Sequence, residues 1–423
     1  KVTPAKAGKF TLVLGYGMGG TKEIADAFEI RVNGKLIADK PDVKGTAYKY
    51  NLAYTDKVEI ELAEGVNEIK IKVKSGISDR ILLCTLTFDD GKSTKKTSLL
   101  GTPQKVVDPA ENMNFKEVYE DHSLLDKFLD TLSPSEMIHL LCGHGANVGR
   151  GDGSLAGLTA KGVPYIDTSD GPAGLDLAVK QVAWPIETSL SCTWNLQLIY
   201  EVGQKIGQEC YAAGVDIWLA PGINIHRDPL GGRNFEYFSE DPVVTGLMAA
   251  AVVEGLQETG VSACPKHFAC NNQETNRTHN DSRVSERALR EIYLKGFEIC
   301  VKKAKPQNIM TSYNKINGVW GHYHYELCER ILRKEWGYKG CVMTDWWMRS
   351  SKSPEFPNLC DQAYRVRAGV NVLMPGGGRM NKKKPDGTLL KTLGASDGIT
   401  LGELQKNAAD ILNFAINSSA NTR

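Results

Sequence analysis

Apolar runs such as Ile81 to Cys84 stay far short of the roughly 20 residues that a bilayer span requires, so no membrane partner is expected and the reading is a soluble protein. Lys/Arg blocks long enough to follow a phosphate backbone are also missing. With 51 basic and 50 acidic residues the net charge is +1, which argues against nucleic acid as a partner. The ten cysteines include no C-x-x-C pair and mostly have apolar neighbours, so a disulfide framework is not indicated and a reducing cytoplasm is favoured over secretion. His322 and His324, like Cys142 and His144, lie at i, i+2 but lack a second pair at ligand spacing. No metal and no cofactor is expected. The chain opens at Lys1 without a Met or an apolar leader, as a processed or excised piece of a longer protein would.

What is present falls into two rhythms. Residues 1–100 alternate apolar and polar side chains over Phe10–Leu14, Phe28–Val32, Val58–Leu62, Ile69–Val73 and Ile81–Phe88, with turn signals at Asn33-Gly34 and Glu64-Gly65. That pattern predicts a small all-β sandwich. The Gly-rich piece from Gly15 to Gly20 lacks the amphipathic helix that a phosphate loop needs, so it reads as a flexible inter-strand loop. After a linker at 101–120, residues 121–423 alternate short apolar runs with segments of helical periodicity, the mark of an α/β protein built on a TIM-like (β/α)8 barrel. Candidate strands end near Asp167, Ala220, Lys266, Ser312, Asp345 and Met374. One helix is predicted from Ser285, with Leu289, Ile292, Tyr293, Phe297 and Cys300 on one face and a Glu286–Arg290 pair.

Polar clusters follow these runs: Ser169-Asp170-Gly171-Pro172, Arg227-Asp228 through Arg233, Lys266-His267, Ser312-Tyr313-Asn314 and Thr344-Asp345-Trp346. In a barrel they converge on the C-terminal mouth, where active sites are built. Acid, Arg, Lys, His and Tyr together can hydrogen-bond the hydroxyls of a sugar, and Trp346 offers a face for its C–H surface. Asp345 as a plain helix N-cap would leave the other clusters unexplained.

The stretch Ile223 to Glu236 (I-N-I-H-R-D-P-L-G-G-R-N-F-E), continuing to Ser239-Glu240-Asp241-Pro242, resembles the signature of glycoside hydrolase family 3. So do Lys266 to Glu274, Val284 to Glu291, Met310 to Gly318 and Val342 to Trp346. The resemblance spans about residues 130 to 380 and is nearest to the β-glucosidases. It implies a retaining exo-β-glycosidase with Asp345 as nucleophile, and with Asp170, Arg233, Lys266, His267 and Tyr313 holding the first sugar beside Trp346. It also implies that Glu236, Glu240 and Asp241 are structural.

The match is incomplete in one respect. Retaining hydrolysis needs a second carboxyl about 5 to 5.5 Å from the nucleophile, and in glucosidase-like members that Glu lies on an α/β sandwich domain. The closing segment Leu401 to Ala408 resembles members with reversed domain order, so the acid/base is expected on an upstream domain, as a partner beyond the β-glucoside or oligosaccharide substrate. His279 with Asp281, or Glu274, are weaker candidates within the chain. In the N-terminal domain the Asn33-Gly34 hairpin and the segment Glu64 to Ile69 resemble β-sandwich carbohydrate-binding modules, with Tyr48, Tyr50 and Tyr54 as the only aromatic cluster; the alternative is a spacer. A β-xylosidase, a sugar-binding fragment with little turnover and a Schiff-base enzyme using Lys266 are the competing readings, and a homo-oligomer is an open expectation.

Overall fold

The computed structural model falls into two units, Lys1–Gly101 with Pro354–Asn358, and Thr102–Ser353 with Leu359–Arg423. It describes residues 7–18, 27–37, 53–73, 81–89, 94–98, 112–144, 152–178, 181–348, 354–359, 361–375, 385–395 and 397–421. Tyr48, Tyr50, the Tyr54 side chain and most of the expected linker lie outside the described residues. Among the described residues no helix is long and apolar enough to cross a membrane.

In the first unit the alternating segments are strands. Val58, Ile60 and Leu62 are buried while Glu59 and Glu61 between them face out, the period of a pleated strand with one wet face. Gly8–Met18 pairs antiparallel with Val58–Leu62, Ala53–Tyr54 and Ile81–Asp89, and the last pairs with Thr94–Ser98. A second antiparallel set joins Lys35–Leu36, Phe28–Val32 and Ile69–Val73. Leu12, Leu14, Val58 and Ile60 from the first set share one core with Phe28, Ile30 and Val32 from the second. Asn33 and Gly34 both have positive φ, as a two-residue hairpin requires. Gly15 to Met18 are not an inter-strand loop: they continue the first strand, which shifts register between Gly15 and Tyr16.

In the second unit, Ile166–Ser169, Ile217–Trp218 and Ser262–Ala263 pair in parallel. The chain then bridges in parallel from Lys266 to Gly222 and from Phe268 to Thr311. Asn308–Met310, Cys341–Trp346 and Val372–Met374 continue the parallel pairing, and Leu373 bridges Cys142. The short strands Gly143–His144 and Gly153–Leu155 pair antiparallel, and the latter returns antiparallel to Ile166–Ser169. The pairings therefore come back to the strand from which they started.

Helices Leu196–Ala213 and Pro242–Gln257 pack closely because glycines stand at their crossing. A Cβ on Gly255 would lie 2.0 Å from the carbonyl oxygen of Tyr200, and one on Gly203 would lie 2.3 Å from that of Val252. The helix after Ser285 starts as expected, with Ser285 as N-cap and Glu286 bonded to Arg290 at 2.6 Å. Its buried face differs. A π-helical stretch, Leu289–Tyr293, precedes Lys295–Ala304, and the Leu294 N–H donates to the Leu289 carbonyl. The extra residue per turn rotates Ile292 into solvent and puts Leu294 in line with Leu289, Phe297 and Cys300. The described cysteines are free thiols.

Ala in place of Gly255 gains about 1 kcal/mol of helix propensity but drives Cβ into backbone that cannot rotate away. Gly255→Ala is expected to destabilise by roughly 1 to 3 kcal/mol, read as a lower urea midpoint with unchanged slope; a raised midpoint would refute the close crossing.

Candidate active site

Parallel pairing points the strands' C-terminal ends the same way, and this brings Asp170, Lys266, His267, Tyr313 and Asp345 toward one end. Arg233 joins them from the loop before Asn234–Glu236.

Lys266, only 2% exposed along its side chain, donates to Asp170 Oδ1 at 2.5 Å and faces Glu236 Oε2 at 3.8 Å. Burial opposes its charge, but Asp170 and Glu236 prevail and raise its pKa. A Schiff-base lysine needs the opposite shift, so the ammonium here is a hydrogen-bond donor. Asp170 is nearly half exposed along its side chain. Burial raises its pKa, Lys266 lowers it, and the net effect is a lowered value, so the group is an ionised acceptor open to solvent.

Asp345 is the penultimate residue of the strand Cys341–Trp346 and is 8% exposed. Its Oδ1 accepts the Trp346 backbone N–H at 2.6 Å, while its Oδ2 is buried without a hydrogen-bond partner. Burial pushes this carboxyl up to about 6, against the pull of Arg233, Lys266 and Arg277. His267 Nε2 lies 3.7 Å from that free oxygen, beyond hydrogen-bond reach. Burial, reinforced by Arg233 and Lys266, holds the imidazole well below its ordinary pKa. It is therefore neutral, and His267 and Asp345 are not an ion pair. Asn224 fixes the histidine backbone at both ends, accepting its N–H at 2.9 Å and donating to its carbonyl at 3.0 Å.

Arg233 is bonded to Glu236, and its Nη1 lies 3.9 Å from Glu274. Arg277 donates to the other Glu274 oxygen at 2.7 Å and lies over the Tyr313 ring at 4.4 Å. Tyr313 donates to the Trp346 carbonyl at 2.8 Å. Trp346 itself is buried, with its indole N–H on the Asp152 carbonyl, and the exposed aromatic here is Trp347 at positive φ. Asp241 caps the helix Pro242–Gln257, and Asp228 closes its own turn on the Leu230 N–H. Arg227 reaches outward to Tyr293. Asp281 is engaged by Arg283 and by the Gly318 N–H. His322 and His324 are buried core residues, pushed down to about 3 by burial.

Three contributors were not singled out in the sequence. Arg277 stands three residues beyond the quoted Lys266–Glu274 motif, and following that motif further would have reached it. Asp152 accepts the Asp170 N–H at 2.6 Å, and Asn224 lies inside a quoted motif but was assigned no role.

The glycosyl hydrolase family 3 N-terminal domain matches residues 156–410, more than half of the chain, and the chain belongs to glycoside hydrolase family 3. It is 43% identical over 318 residues to a β-glucosidase of Ruminococcus albus, covering 73% of this chain and 33% of that protein. It is 44% identical over 234 residues to an exo-α-(1→6)-L-arabinopyranosidase of Bifidobacterium longum, covering 52% and 30%. Among solved structures it superimposes on β-glucosidase 3B of Thermotoga neapolitana with a TM-score of 0.65 at 38% identity, over 70% of this chain and 43% of that one. The chain thus spans about a third of the length of these curated relatives.

A carboxyl whose folded pKa exceeds its unfolded value favours folding only while protonated. Ionised Asp345 therefore costs stability above pH 6, and the cost disappears below about pH 4. A rise from 3.8 to about 6 corresponds to about 2 to 3 kcal/mol at neutral pH. Asp345→Asn is expected to be more stable than the parent at pH 7.5 and equal to it near pH 4, as measured by urea unfolding at both values. Equal stability at both would contradict the buried charge.

Proposed function

We propose that the second unit is a TIM-like (β/α)8 barrel, that the first is a β-sandwich, and that the chain carries the nucleophile of a retaining exo-β-glycosidase acting on terminal β-linked glucose. The closed circuit of strand pairings supports the barrel, and the core shared by two antiparallel sets supports the sandwich. The observation that carries the chemistry is the buried Asp345 carboxylate, with one oxygen anchored and the other unpartnered.

In this reading Asp345 Oδ2 attacks the anomeric carbon. The glycosidic bond breaks, its electron pair leaves with the aglycone oxygen, and a general acid protonates that oxygen. Water, deprotonated by the same group, then displaces Asp345. Asp170 and Lys266 bind hydroxyls of the sugar, as do Arg233, neutral His267 and Tyr313, while Trp346 backs the pocket and Trp347 stands nearer solvent. The acid/base is supplied from outside this chain, by a domain that partners the barrel. Supporting this, Lys266 lowers the pKa of Asp170 and keeps it an acceptor, while the carboxylates of Glu236 and Glu274 are each engaged by an arginine, Glu236 by Arg233 and Glu274 by Arg277. Without that domain the chain turns over poorly, which is where the sugar-binding reading meets the enzymatic one.

A 2-fluoro glucoside with a dinitrophenolate leaving group needs little protonation, so it should release a burst and leave its sugar on Asp345, located by peptide mass spectrometry. The burst rate should fall as pH drops through about 6, where the nucleophile takes up its proton. Asp345→Ala should slow the burst by roughly 10³-fold or more. Label on another residue would sink the mechanism, and a preference for xylosides would sink the glucose assignment alone.

A further inference from the structure

A cleft of about 970 Å³ opens at the other end of the strands, lined by Gln307 and Gly340, which immediately precede Asn308–Met310 and Cys341–Trp346. Asp345 lies four residue steps along the strand from Cys341, about 13 Å at 3.3 Å per residue, so this cleft is distinct from the candidate active site.

Its charge is one-sided. Glu329 and Asp410 are matched by Lys406 at 2.7 Å and Arg333 at 3.3 Å, and Lys302 is held by Glu298 at 2.6 Å. Lys305, Lys334 and Lys339 also line the cleft, and among the described residues none has an acidic partner. Lysines often gather at helix C-termini merely to offset the helix dipole, and Lys295–Ala304 and Glu326–Glu335 both end here. Two such ends carry about one negative charge in total. Three unpaired lysines exceed that by about two charges, in a chain whose net charge is only +1.

Two further observations point to a ligand. The Arg333 Nε–H is buried in the cleft wall without a hydrogen-bond partner, 3.7 Å from Glu329 Oε1, and its side chain is only 8% exposed. Lys305 holds φ 48° and ψ 58°, a left-handed helix cap that glycine or asparagine adopts with less strain. A strained lysine kept at the rim of a cationic cleft is explained if its ammonium is used.

We propose that this cleft binds a small multivalent anion bearing phosphate or carboxylate groups, with Lys305, Lys334, Lys339 and the Arg333 Nε–H as donors and the half-buried Trp336 as a flat wall. The proposal does not rest on the glycosidase reading.

Isothermal titration calorimetry of the whole chain in low-salt buffer tests it, with inorganic pyrophosphate and trigalacturonate as separate probes. One saturable site is expected for at least one probe, weakening as salt shortens the screening length. Binding of pyrophosphate alone identifies phosphate esters, and binding of trigalacturonate alone identifies acidic sugars. Lys339→Gln should weaken binding about tenfold, the loss of one charge-assisted bond. Lys305→Gly should do the same while raising the melting temperature, because it relieves the backbone as it removes the charge. No saturable heat with either probe, or unchanged affinity in both variants, would overturn the proposal.

Discussion

Removing a carboxylate from water costs more than a few nearby cations return, and that imbalance at Asp345 organises the surrounding structure. Arg233, Lys266 and Arg277 all pull its pKa down, yet burial prevails and leaves it near 6. The cations must therefore be close and held still, and each is held by another acid: Arg233 by Glu236, Lys266 by Asp170, Arg277 by Glu274. Those acids neutralise much of the positive charge, so the cluster is a lattice of alternating signs around one free oxygen. His267 remains neutral beside it because a fourth cation there would be buried and would face Arg233, Lys266 and Arg277.

The backbone contributes as much as the side chains. Parallel strands deliver these groups from distant parts of the sequence to one end of the fold, and Asn224 and Asn371 act as polar staples between segments. Asn224 brackets His267, while Asn371 accepts the Val342 N–H at 2.7 Å and donates to Asn407 and Asp410 at 3.1 Å. The strand bearing Asp345 is thereby tied to the helix Leu401–Ile416, whose first turn is pinned by the buried pair of Glu403 with Arg367. Such a pair is costly to break because either partner alone would be an uncompensated buried charge.

Much of this was legible beforehand where a local rule applies. Alternation marked Phe28–Val32 and Val58–Leu62 because one face of each is buried, and Ile69–Val73 because Ile69 and Ile71 pack against the same core. The Ser285 cap and the Glu286–Arg290 pair depend only on neighbours within a turn. The buried face of that helix was misread because a π turn has no composition signal of its own, and one inserted residue moved Ile292 out and Leu294 in. Gly15 to Met18 were misread because glycine permits both loops and bulged strands. Trp346 and Trp347 are adjacent aromatics, and only the positive φ of Trp347 and the Asp152 carbonyl decide which is buried.

The sequence by itself determined the element types, the grouping of polar residues after apolar runs and the family signature, because each is written in residues close along the chain. Only the tertiary structure decided that Lys266 is charged and His267 neutral, that Asp345 keeps one oxygen unpartnered, and that Arg277 lies over Tyr313. These depend on burial and on distances between residues far apart in sequence. Neither quantity exists until the strands have paired.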